Sequence, residues 1–251
     1  MPSTSIAATS NRRRNAFRLG GSVLVLAAGI AAVTAVSPPA EAAGEFWILP
    51  AAEYDPPTES TYEVAILAGG CFWGVQAVYQ FTEGVISAVS GYSGGSAEDA
   101  EYYAVGSGRT GHAEAVEVVY DPQVISYAEI LRIFFSVVHD PTQLDRQGPD
   151  FGPQYRSHIY FTTDEQREVA EAYIAQLGEA EIWADPIVTR LDPLEAFYPA
   201  EDYHQDYLLL HPGSAYIQIH DMPKLANFSR LFPEHFRSDP ATVAETHPDL
   251  V

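Results

Sequence analysis

A chain of 251 residues, 47% hydrophobic and 12% aromatic, is long enough to bury one good-sized core and is not the composition of a disordered protein. Thirty-four Asp and Glu against 13 Lys and Arg give a net charge of −21, which argues against nucleic acid or an anionic membrane surface as partner. One cysteine, Cys71, excludes an internal disulfide, so any redox partner of this thiol must come from outside the chain.

At the start, Arg12, Arg13, Arg14 and Arg18 precede a small and apolar run from Leu19 to Val36, and Ala40-Glu41-Ala42-Ala43 offers a small-x-small cleavage site. Residues 1–42 therefore read as an export signal, cleaved after Ala42, that delivers the protein to a periplasmic or extracellular space. Arg13-Arg14-Asn15-Ala16-Phe17 is a loose twin-arginine pattern; a general secretory signal is equally consistent, and an uncleaved anchor is the alternative because the run approaches spanning length. Residues 43–60, with Pro56 and Pro57, read as an irregular lead-in, residues 61–236 as the folded core domain and residues 237–251 as an acidic flexible tail.

Within the domain, Tyr62 to Ala68 predicts a buried strand, Cys71 to Phe81 a helix, and Val85 to Tyr92 and Ala113 to Tyr120 two further strands, the last ended by Asp121-Pro122. Ser126 and Glu129 have capping-box spacing, and Ile130, Leu131, Phe134, Phe135 and Val138 give the next helix an apolar stripe. Arg156 to Phe161 returns as a strand. Strand-helix-strand-strand-helix-strand is the order of a ferredoxin-like split βαβ core, an α/β (α+β) fold with a two-layer arrangement and its helices on one face. Thr163 and Gln166 open a helix to about Leu177; a short strand over Ile187–Leu191, a helix over Glu201–Leu210 and another over Lys224–Phe232 complete the chain.

The chemistry centres on Val64-Ala65-Ile66-Leu67-Ala68-Gly69-Gly70-Cys71-Phe72-Trp73-Gly74. Here a strand meets a diglycine turn and then a helix start, where free N–H groups and the helix dipole favour a thiolate. The competing reading is an inert buried cysteine. Two long, glycine-rich loops, 91–112 and 139–155, have the length and polarity of site-lining segments. Alternation puts Glu114 on the strand face shared by Val116 and Val118, where desolvation would keep it protonated and able to act as a general acid; an exposed strand end would leave it merely solvated. His112 either pairs with Cys71, as in a cysteine hydrolase, or is a hydrogen-bonding loop residue. Tyr102 and Tyr155 lie in the two loops and can donate phenolic hydrogen bonds, and Asp150 can orient a loop or accept from a ligand amide. His204, His211 and His220 do not have metal-ligand spacing, and no metal is expected.

Gly70-Cys71-Phe72-Trp73-Gly74, Gly91-Tyr92-Ser93-Gly94-Gly95, Thr110-Gly111-His112-Ala113-Glu114, Tyr120-Asp121-Pro122, His139-Asp140-Pro141, Gln154-Tyr155-Arg156-Ser157 and Ala200-Glu201-Asp202-Tyr203-His204-Gln205-Asp206-Tyr207 occur in this order. Together they resemble peptide methionine sulfoxide reductase of the A type, over roughly residues 62–236. The resemblance implies reduction of the S epimer of methionine sulfoxide, free or in proteins. It makes Cys71 the nucleophile that becomes a sulfenic acid, Glu114 the proton donor to the sulfoxide oxygen, and Tyr102 and Tyr155 its hydrogen-bond donors. Phe72 and Trp73 would receive the S-methyl group, and Asp150 would contact the substrate backbone. Tyr103 adjoins Tyr102, so a one-residue shift in that assignment stays open. Many family members carry further cysteines that pass a disulfide to thioredoxin; here there are none. The expected reductant is thus an external thiol, a thioredoxin-like protein or a small thiol, with no bound cofactor, acting on a monomer that repairs exported proteins. Alternatives are a thiol peroxidase or cysteine hydrolase, and a methionine-sulfoxide binding module without turnover.

Overall fold

In the computed structural model, which describes residues 47–251, the apolar run before the cysteine becomes strand β1 (Glu63–Gly69), buried from Ala65 onward. The export signal expected over 1–42 lies outside the described residues. Gly70 turns the chain at φ +95°, and helix α1 (Phe72–Gln80) follows with Cys71 at its N-cap. Strands β2 (Val85–Ser93) and β3 (Ala113–Tyr120) pair antiparallel across the first long loop, which carries the short helix α2 (Tyr102–Gly106). Helix α3 (Tyr127–Ile133) begins where Ser126 Oγ accepts from the Glu129 N–H at 3.2 Å, and it widens into a π-type turn over Phe134–Val138. The second loop holds a two-strand ribbon, β4 (Arg146–Gln147) and β5 (Asp150–Phe151). Strand β6 (Ser157–Phe161) pairs antiparallel with β1, and Thr163 caps helix α4 (Asp164–Glu179).

The predicted order of elements is therefore observed, with the four strands arranged β6-β1-β3-β2. Two short strands widen the sheet to six: β7 (Arg190–Pro193), parallel to β6, and β8 (Phe197–Pro199), antiparallel to β2. The strand expected over Ile187–Leu191 starts later, at Arg190, and β8 was not anticipated, because three residues ending in proline show no alternation.

On one face, Leu67, Val116, Val118 and Tyr92 meet the apolar sides of α1, α3 and α4 in the main core. The other face carries small residues, Ala68, Ala113 and Ala115, with Ile66 and Tyr160. Those small side chains let the sheet curl. Tyr160 on β6 donates its hydroxyl to the Ser93 carbonyl on β2 at 3.0 Å, although β1 and β3 lie between. At about 4.8 Å per strand step, a flat sheet would put these partners beyond the reach of one tyrosine.

The C-terminal part departs from the local pattern. The helix expected over Glu201–Leu210 is broken into a 3₁₀ turn (Asp202–His204) and a short α5 (Tyr207–Leu210). Asp206 stands at φ +53° between them, and the Gln205 side chain is drawn to β2, accepting from the Ser90 N–H and donating to its carbonyl, each at 3.0 Å. Helix α6 spans Met222–Leu231.

Residues 237–251 are not the loose tail expected of their composition. They contain α7 (Val243–Thr246), whose Val243 is fully buried. The buried Asp206 carboxylate accepts from Gln80 Nε2 at 2.6 Å, Val243 N–H at 2.9 Å and Ala244 N–H at 3.1 Å. Ending the chain after Phe236 is expected to cost about 2–4 kcal/mol, since it uncovers a core valine's niche and strips two donors from a buried carboxylate; the urea midpoint measures it. Residues 47–60 carry neither helix nor strand, yet Leu49 is buried in the core, and its carbonyl accepts from Arg132 Nε at 2.8 Å.

Candidate active site

Cys71 sits where β1 hands over to α1, 7% exposed, at a turn that requires Gly70. A β-carbon at Gly70 would stand 2.6 Å from Gln147, so only glycine lets the second loop close over the thiol. Helix α1 has no side-chain cap from Cys71 itself. Instead Glu114, 42 residues away on β3, accepts from the Phe72 N–H at 3.0 Å. Strand alternation aims Glu114 into the core, where it is 3% exposed. Burial pushes its carboxyl up to about 8, with the negative charges of Asp150 and Asp221 adding to the rise and the Phe72 N–H opposing it. Glu114 is consequently protonated at neutral pH.

The thiol behaves differently from the expectation for a helix start. Burial pushes Cys71 well above its usual range, and the carboxyls of Glu114 and Asp221 add to that; the Trp73 N–H and the Lys224 ammonium pull the other way but do not prevail. At rest the group is a thiol, because desolvating a sulfur anion costs more than one helix end returns.

Around it, Phe72 is buried and Trp73 is half-buried, stacked on Tyr207 at 3.7 Å between ring centres. Trp73 Nε1 donates to His204 Nδ1 at 3.2 Å, which puts the imidazole proton on Nε2; burial holds His204 below its usual range and so neutral. The same ring packs against Phe72 and Tyr102, at 5.1 and 4.4 Å. Tyr102 is partly buried while Tyr103 is 80% exposed, which settles which of the adjacent tyrosines faces inward. Burial first, and then the neighbouring acidic groups Glu114 and Cys71, raise the Tyr102 phenol to about 12; burial, Glu114 and Asp150 raise Tyr155 likewise, so both are neutral donors beside the thiol. Asp150, on β5, accepts from the Tyr216 hydroxyl.

The structure thus gathers Cys71, Glu114, Tyr102, Tyr155, Phe72, Trp73 and Asp150 into one region. His112 is not Cys71's partner: its Nε2 is spent on the Ser96 carbonyl at 2.9 Å. Four residues of this region were missed in the sequence. Tyr216 packs edge-on to Trp73 and lines, with Asp150 and Lys224, a cavity of about 290 Å³ that opens beside Cys71. Asp221 is buried with Lys224 Nζ 3.2 Å away, its carboxyl seated where a β-carbon on Gly74 would be. Glu201 accepts from the Tyr92 hydroxyl and the Tyr102 N–H, each at 2.9 Å, and so fixes the loop that presents Tyr102. Of these, only Glu201 lay in a motif. Among the described residues, no three His, Cys, Asp or Glu side chains group as a metal site.

Residues 63–235 match the family model described as peptide methionine sulfoxide reductase. A peptide methionine sulfoxide reductase, MsrA 2, of Mesorhizobium japonicum is 53% identical over 181 residues, covering 72% of this chain and 93% of the relative. A second of that name, from Synechocystis, is 49% identical over 70% of this chain and 82% of its own length. The fold is also that of methionine sulfoxide reductase A of Corynebacterium diphtheriae, at 34% identity, a TM-score of 0.53 and coverage of 68% of this chain and 87% of that one. Reduced Mxr1 of Saccharomyces cerevisiae gives 32% identity and a TM-score of 0.57 over 64% and 92% of the two chains. With a cysteine, a protonated carboxyl and two phenols joined on that shared fold, the chain belongs to the peptide methionine sulfoxide reductase family, A type, and is an oxidoreductase acting on methionine sulfoxide.

Proposed function

We propose that the chain reduces the S epimer of methionine sulfoxide through a sulfenic acid on Cys71, drawing its electrons from an external thiol. The observation that carries this reading is the buried, protonated Glu114 carboxyl held on the N–H of the residue next to Cys71. A sulfoxide sulfur is a poor electrophile until its oxygen takes a proton. Glu114 supplies that proton, and Tyr102 and Tyr155 hold the oxygen by donating hydrogen bonds. Phe72 and Trp73 take the S-methyl group, an apolar contact that selects one configuration at sulfur, and Asp150 accepts from the substrate's backbone amide.

Cys71 attacks as a thiolate once the substrate is in place, assisted by the Trp73 N–H and Lys224. The proton that the thiol gives up balances the one that Glu114 donates. In sum, a thiol and a sulfoxide become a sulfenic acid and a thioether, the oxygen moving from methionine sulfur to Cys71 sulfur. One external thiol then displaces water from the sulfenic acid to form a mixed disulfide, and a second releases Cys71 as thiol. A thioredoxin-like protein or a small thiol has this chemistry. Residues 1–42 would carry the enzyme to a compartment where it repairs oxidised exported proteins.

Resolved S and R methionine sulfoxides supplied without reductant test the first half-reaction. One methionine per protein from the S epimer alone, with one added oxygen on the Cys71 peptide by mass spectrometry, is the expected result. Release from the R epimer, or methionine formed without that added oxygen, would overturn it.

A further inference from the structure

Two indoles, Trp47 and Trp183, stand on the wall of the cavity that Cys71 and Asp150 share. Trp47 precedes the region matched by the family model, which begins at residue 63, so this chain brings it to the site on its own lead-in. Its placement is held from behind. Leu49, two residues on, is 2% exposed; its N–H donates to Ser136 Oγ at 3.2 Å, and the next carbonyl, Pro50, accepts from the Tyr173 hydroxyl at 2.9 Å. An irregular segment tied at consecutive residues to α4 and the π-type turn after α3 delivers the indole to the cavity at little further entropic cost.

Trp47 remains 42% exposed there, and Ile219, on the same cavity, 52%. Large apolar side chains left in water beside a buried reactive thiol mark a surface that gains by being covered. Asp150 supplies an acceptor-only carboxylate on the same wall, suited to a peptide N–H. A polypeptide has the geometry to use both: backbone at Asp150, and the neighbour of the oxidised methionine reaching the indoles. Free methionine sulfoxide has no such neighbour.

We propose that Trp47, Trp183 and Ile219 form a subsite for an apolar side chain adjacent to methionine sulfoxide in a polypeptide. This rests on methionine sulfoxide docking at Cys71. It makes the lead-in a specificity element that favours oxidised methionines in apolar stretches, the segments exposed when proteins unfold.

The test compares free methionine S-sulfoxide with blocked tripeptides in which it is flanked by leucine or by serine, with dithiothreitol as reductant. The full chain should prefer the leucine peptide in kcat/KM. Trp47→Ala should raise KM for that peptide about tenfold, the scale of one lost aromatic contact, while kcat and the constants for the other two substrates stay put. Trp47→Phe should restore most of the preference, and Trp183→Ala should lose it as Trp47→Ala does. Equal losses for all three substrates, or no change for any, would overturn the subsite. Failure of the wild-type protein to reduce even free methionine S-sulfoxide would instead overturn the reading of the site on which it stands.

Discussion

Cys71→Ser is expected to abolish methionine release, a loss of more than about 10⁴-fold, the scale on which removing a covalent nucleophile acts. A hydroxyl is close in shape to the thiol but cannot accept a sulfoxide oxygen, so the deficit falls on chemistry rather than on folding. Because this is the chain's one cysteine, no second sulfur can substitute. Turnover with dithiothreitol, read as methionine by chromatography, measures the loss, and the denaturation midpoint separates it from unfolding. Retained turnover would remove Cys71 from the mechanism. A peroxidase or hydrolase at the same cysteine would also lose activity on substitution, so the wild type must first be shown to reduce sulfoxide.

Glu114→Gln should lower kcat by about 10²–10³-fold with KM nearly unchanged, the range of a lost general acid. The amide oxygen can still accept from the Phe72 N–H, so the helix start and the position of Cys71 survive. What disappears is the transferable proton. An unchanged kcat with raised KM would sink the assignment.

The wild-type kcat should fall as pH rises through about 8, where the Glu114 carboxyl ionises. Stability moves with it in the same direction. Burial raises this carboxyl from 4.5 to about 8, so the folded state binds the proton more tightly than the unfolded chain. That contribution is complete below about 4.5 and is lost as pH climbs to about 8. Glu114→Gln cannot release a proton, so its Tm should decline less than the wild type's between pH 5 and 8.5. A parallel decline would mean that Glu114 is not the buried acid.

Much of this site followed from short stretches of sequence. Strand alternation placed Glu114 on the core face beside Val116 and Val118, and a diglycine before an apolar helix put Cys71 at a helix start. The caps at Ser126 and Thr163 followed from residue spacing, as did the stripe that buries α3. These are periodicities of two and 3.6 residues, set by the backbone and readable without knowing what lies opposite.

Long-range partners decided the rest. The Cys71 proton is retained because folding buries the sulfur away from water, with the carboxyl groups of Glu114 and Asp221, 43 and 150 residues away in sequence, brought beside it. The helix pattern over Glu201–Leu210 gave way when Gln205 found the Ser90 backbone, and the acidic tail docked because Asp206 offered it a buried acceptor. Of the adjacent phenols, Tyr102 turned inward against His204. Hydrophobic rhythm belongs to the local chain; ionisation, the breaking of a helix and the choice between neighbouring side chains depend on the field and the donors that folding brings from elsewhere.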